Sequence, residues 1–93
     1  MEVEANFLND PINMKVQILA FGVARELIGK NSFDLAVESA STIGDIKQRL
    51  VKEYPLLGKL TALAFAVNSE YEQEGFLLKD GDELALIPPV SGG

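Results

Sequence analysis

The sequence contains no cysteine and no histidine. Disulfides, zinc sites of the Cys/His kind and catalysis centred on a thiolate or an imidazole are therefore excluded from within this chain. Basic residues are scarce: 8 Lys and Arg stand against 14 Asp and Glu, for a net charge of −6. The eight are scattered, whereas neutralising phosphates takes clusters of them, so nucleic acid is not an expected partner. The acidic balance suits a partner with a basic face, which gains in encounter rate and orientation more than in raw affinity. No apolar run approaches the roughly 20 residues of a membrane span, so no membrane association is expected. The first residues lack the basic and apolar blocks of a secretory signal. A cytoplasmic location is the resulting expectation.

What is present reads as one globular domain. Of 93 residues, 47% are apolar and 24% charged, enough for a single core and too apolar for a disordered chain. Residues 1–13 show no sustained period and read as a flexible leader or an expression remnant, ahead of a second start at Met14. Residues 14–87 carry the folding pattern, and 88–93 form an extended tail.

From Lys15 to Phe21 the alternation of a strand sets in, with Val16, Ile18 and Ala20 on one side and Lys15, Gln17, Leu19 and Phe21 on the other. Leu19 and Phe21 leave two readings open: a central strand covered on both faces, or an exposed docking patch. Gly22–Lys30 reads as a connection. Phe33, Leu35 and Val37 then alternate inward in a second strand, antiparallel to the first because the connection is short. Thr42 and Asp45 stand at capping-box spacing ahead of the stripe Ile43, Ile46, Leu50, Val51 and Tyr54, which predicts a helix ended by Pro55. Its Lys47, Arg49 and Lys52 read as a solvated face. Leu57–Leu60 reads as a loop.

Ala62–Asn68 is predicted as a third strand, with Leu63, Phe65 and Val67 on one face. Asn68-Ser69-Glu70 has turn chemistry, and Tyr71–Leu78 has room for a short strand that the pattern does not place. Lys79-Asp80-Gly81-Asp82 is a tight turn before the last strand, Glu83–Ile87. Acidic residues crowd this third of the chain without the spacing of a calcium loop, so no metal site is expected.

One main helix and four to five strands predict an α+β fold, a mixed sheet gripping the helix with one face. Setting the last strand beside the first, in parallel, sends Leu84 and Leu86 to the helix. Ile87 then lies on the open face near Leu19 and Phe21, which favours the docking reading, because monomers seldom expose such a cluster without use. Beyond it, Pro88 and Pro89 stop the ladder and stiffen the exit. Gly92 and Gly93 lack a Cβ and suit a channel too narrow for side chains. Pro88-Pro89-Val90-Ser91-Gly92-Gly93 is thus either a frayed terminus or a reactive arm with a free carboxylate.

From about Met14 to Gly93 the chain resembles the small subunits of molybdopterin synthase, a family of ubiquitin-like β-grasp sulfur carriers. The resemblance rests on Phe21 with Ala24-Arg25-Glu26-Leu27 and Gly29, on Ala66-Val67-Asn68, on Asp80-Gly81-Asp82-Glu83, and on the Pro88–Gly93 tail. Leu86 and Ile87 depart from it, since relatives often carry aromatic residues there. The resemblance implies that an E1-like enzyme consumes ATP to adenylate Gly93 and that a sulfur donor protein converts it to a thiocarboxylate. The arm, slim at Gly92, then enters the large subunit of the synthase, in an assembly of two small and two large subunits. There the sulfur passes to cyclic pyranopterin monophosphate to build the molybdopterin dithiolene. The chain itself binds no cofactor on this reading and is not catalytic alone. Phe21, Tyr71 and Ile87 would dock the partners, with Pro88, Pro89, Val90 and Ser91 lining up the arm. A sulfur carrier for thiamine thiazole synthesis, a ubiquitin-like protein modifier and a plain interaction domain are the alternatives.

Overall fold

Residues 12–89 are described in a computed structural model of the chain. The first strand, β1 (Ile12–Ala20), buries Val16, Ile18 and Ala20 as the alternation requires. It begins at Ile12, three residues ahead of the predicted Lys15. The register against the next strand shifts between Ile12 and Met14, and such a bulge interrupts the period-2 signal there.

The stretch predicted as a plain connection is instead a helix, α1 (Gly22–Ile28), closed by Gly29 in the left-handed region at φ 88°. Two turns bury only Ala24 and Ile28, and no side chain caps the N-terminus at Phe21, so neither a period nor a cap marks it in the sequence. Among the described residues there are therefore two α-helices. Strand β2 (Ser32–Glu38) follows and pairs antiparallel with β1, Ile18 opposite Phe33 and Val16 opposite Leu35.

Helix α2 (Ile43–Glu53) has the predicted capping box in full. The Asp45 amide donates to Thr42 Oγ1 at 3.1 Å, and the Thr42 amide donates to Asp45 Oδ2 at 2.9 Å. Ile43, Ile46 and Leu50 are buried against the sheet. Its basic face is partly engaged: Lys47 pairs with Glu74 at 3.0 Å, and Arg49 donates to the Ala36 carbonyl on the outer edge of β2. Pro55 opens a 3-10 turn (Pro55–Lys59) where a loop was predicted, and Leu57 is buried within it.

The chain returns through β3 (Ala64–Val67), the two-residue β4 (Glu70–Tyr71) and β5 (Glu83–Ile87). The sheet runs β2-β1-β5-β3-β4, with β1 and β5 parallel and the other pairs antiparallel. The predicted parallel placement of β5 beside β1 is therefore present. Leu84 and Leu86 meet Ile18, Ile46 and Leu50 in one core, each such side chain contributing about 1.5–3 kcal/mol by leaving water.

Candidate docking face and the root of the arm

The face of the sheet turned away from α2 can be built residue by residue from the register. Leu19 stands opposite Ala85, Ala85 opposite Ala66, and Ala66 opposite Tyr71. These four form one row across four strands, spanning roughly 14 Å at the usual strand spacing. The alanines make a low floor between Leu19 on one side and Tyr71, 71% exposed, on the other. One step further along, Ala64 is opposite Ile87. The Phe21 amide donates to the Leu86 carbonyl at 3.2 Å, which carries the β1–β5 ladder past Ala20 and sets Phe21 level with Ile87.

Phe21 itself is not in the strand but at the N-cap of α1, with extended angles (φ −121°, ψ 157°) that preserve the strand's parity. It is 48% exposed. Phe21, Tyr71 and Ile87, singled out in the sequence, thus share one face. An open notch of about 290 Å³ between Ala64, Phe65 and Tyr71, with Glu72 and Glu74 at its rim, adjoins the row.

The root of the arm lies at the Phe21 end of this face. Pro88 is half-buried and Pro89 exposed. Gly22, at φ 53°, passes so close that a Cβ there would sit 3.3 Å from Pro88 Cγ. Val90, Ser91, Gly92 and Gly93 lie outside the described residues.

The acidic run before β5 serves the fold. Asp80 Oδ1 accepts from the Lys15 amide at 2.8 Å, and the Gly81 amide donates to the Lys15 carbonyl at 2.8 Å. Gly81 turns there at φ 87°, in the region that favours glycine. Asp82 is buried, accepts from the Lys79 amide at 2.8 Å and from Asn68 Nδ2 at 2.9 Å, and so closes the turn and reaches across to β3. The turn was legible in the sequence; the Asn68–Asp82 contact was not, since fourteen positions separate the two. Among the described residues no three acidic side chains converge as a metal site. No helix among them is long and apolar enough to cross a membrane.

Residues 18–93 match the ThiS family. The chain belongs to that family. This ThiS-family protein is 35% identical over 86 residues to a molybdopterin synthase sulfur carrier subunit of Arabidopsis thaliana, covering 91% of this chain and 90% of the relative. Among solved structures it is similar to small archaeal modifier protein 1 of Haloferax volcanii, with a TM-score of 0.75 at 30% identity over 85% of this chain and 99% of that one. It is also similar to a chain in the complex of subunits 1 and 2 of the molybdopterin-converting factor of Helicobacter pylori. There the TM-score is 0.61 at 30% identity, over 86% of this chain and all of that one. The fold is the ubiquitin-like β-grasp expected from the resemblance.

Proposed function

We propose that this protein is the sulfur-carrier small subunit of a molybdopterin synthase and that Gly93 carries the sulfur. The observation that carries the reading is the apolar row on the open sheet face, which leads to Phe21, Ile87 and the Pro88 root of the arm. A carboxylate is a poor electrophile, so its oxygen must first become part of a leaving group. An E1-like enzyme attaches the Gly93 carboxylate to AMP, releasing pyrophosphate from ATP. The outer sulfur of a donor protein's persulfide then displaces AMP to give an acyl disulfide, and a thiol reductant cleaves its S–S bond to leave a thiocarboxylate. This route lets a chain without cysteine carry reactive sulfur.

The arm then enters the large subunit, which binds cyclic pyranopterin monophosphate and supplies the catalytic groups. This chain contributes the sulfur and its placement, and proximity is its share of the rate. Support for a large-subunit partner comes from the complex of subunits 1 and 2 of the Helicobacter pylori factor, one chain of which this protein resembles. The two subunits are proposed to assemble as two small and two large chains. Activating enzyme and large subunit use the same open face in turn, with Phe21, Tyr71 and Ile87 as anchors and Pro88 to Ser91 as the stem of the arm.

The deciding measurement is the intact mass of the protein after incubation with its activating enzyme, ATP and a sulfur source. Exchange of one oxygen for sulfur at Gly93, followed by loss of that sulfur to the pterin when the large subunit is added, is the expected result. Likeness to the archaeal modifier favours a second reading, attachment of Gly93 to lysines of other proteins. Conjugates in place of a thiocarboxylate would select it.

A further inference from the structure

We propose that Asn68 and Asp82 are positioning residues for partner recognition: their side-chain clasp holds β4, and with it Tyr71, level with the open face. The inference rests on the docking reading above only for what Tyr71 does once it is placed.

Strand β4 has little of its own to hold it. It is two residues long and is the last strand in the sheet order, paired among the described residues with β3 alone. Val67 opposite Glu70 leaves a two-residue turn, with Asn68 at φ 50° and Ser69 at φ 76°. Both central residues are left-handed, the conformation of a tight hairpin that glycine or asparagine adopts readily and serine does not. A hairpin this short is marginal without support.

The support comes from β5. Asn68 Nδ2 donates to Asp82 Oδ1 at 2.9 Å, and the Glu83 amide donates to Asn68 Oδ1 at 3.0 Å. The Asn68 amide donates in turn to the Glu83 carbonyl at 2.9 Å. Asp82 is itself fixed by the Lys79 amide and is buried, so its carboxylate is held in place and partly withdrawn from water where the exposed Asn68 meets it. One asparagine thereby ties the hairpin to the start of the strand that leads to the arm. Just beyond β4 the Glu72 amide donates to the Phe65 carbonyl at 3.0 Å, the next bond to open if the turn loosens. Tyr71, opposite Ala66, lies between those two fixed points.

The hydrogen-bond pattern supplies its own control. In Asn68→Asp two carboxylates face each other and the clasp breaks. In Asp82→Asn two amide NH2 groups face each other, and the Glu83 amide prevents Asn68 from turning round. The double exchange Asn68→Asp with Asp82→Asn restores all three contacts. The carboxylate then at position 68 accepts from both the Glu83 amide and the side-chain NH2 at position 82. The side-chain oxygen at position 82 still accepts from the Lys79 amide. Net charge is unchanged.

The experiment uses the full chain and its cognate large subunit. Asn68→Asp should abolish the NMR cross-peak between the Tyr71 ring and the Ala66 methyl, speed hydrogen exchange at Glu72, and weaken binding about tenfold. The exchange double variant should restore all three. Tyr71→Ala in the Asn68→Asp background should weaken binding little further, since the two act through one contact. Full additivity, an intact cross-peak in Asn68→Asp, or a double variant that recovers melting temperature without the cross-peak would overturn the proposal. If Asn68→Asp does not fold, Asn68→Gly keeps the left-handed turn, deletes the clasp and carries the same expectations. If the wild type does not bind the large subunit, the docking reading fails, and the cross-peak alone decides the clasp.

Discussion

Two phenylalanines show how position decides what a side chain is for. Phe65 is 4% exposed in the core, whereas Phe21 is 48% exposed at the edge of the open face. Phe65→Ala should therefore lower unfolding stability by about 3–5 kcal/mol, read in urea. Phe21→Ala should cost far less stability yet weaken the large-subunit complex by about 2 kcal/mol, the scale of an interface anchor. Ile87→Asp should weaken it more, because the contact would bury an unpaired charge. If Phe21→Ala unfolded the protein instead, the face assigned to it would be wrong. Backbone strain makes the opposite kind of prediction. Ala40 and Ala62 sit at φ 67° and 60°, a region that costs a non-glycine residue roughly 1–2 kcal/mol. Ala62→Gly should recover about 1 kcal/mol after the entropy of the freer unfolded chain is subtracted. An unchanged urea midpoint would mean that the turn around residue 62 relaxes by another route.

Helix α2 carries the clearest prediction among the elements. Removing the Thr42 hydroxyl leaves the Asp45 amide without its cap, so Thr42→Ala should cost about 1 kcal/mol and lower the melting temperature by roughly 4–8 °C. Affinity for the large subunit should not move, because α2 packs on the other face of the sheet. This helix was legible because cap, stripe and Pro55 agree with one another. Strand β2 was legible for a similar reason, since it buries the alternating pair Leu35 and Val37; β5 was legible from Leu84 and Leu86, although the small Ala85 between them is buried as well. Helix α1 was not, since seven residues that open on Gly22 give neither a period nor an N-terminal side-chain cap. The 3-10 turn after Pro55 was hidden for the same reason. The docking row could be foreseen as far as Phe21 and Ile87 by parity. Ala66 and Ala85, which make its floor, read in the sequence only as small residues in strands, and the clasp depends on a contact between distant positions.

At the scale of the molecule, the parallel pairing of β1 and β5 fixes where partners and additions can go. Both strands run the same way, with Gln17 opposite Glu83 and Ala20 opposite Leu86, so β1 enters the sheet five residues ahead of the start of β5 and leaves beside its end. Residue 12 is therefore at the far end of the sheet from Pro88, roughly 30 Å away for a nine-residue strand. An extension at the N-terminus leaves the proposed reacting carboxylate of Gly93 free, whereas one after Gly93 replaces it with an amide. Deleting Gly93 or extending the chain beyond it should thus abolish sulfur transfer, and an N-terminal extension should leave it near the wild-type rate. Both should melt close to the wild type, because the core among the described residues runs from Val16 to Leu86 and includes neither Pro88 nor Pro89. Binding of the large subunit separates chemistry from docking. The C-terminal extension should weaken it if the arm threads a narrow channel, while deletion of Gly93 should weaken it little, since Phe21, Tyr71 and Ile87 remain in place. Full synthase activity with residues added after Gly93 would sink the carrier reading, whatever the affinity proved to be.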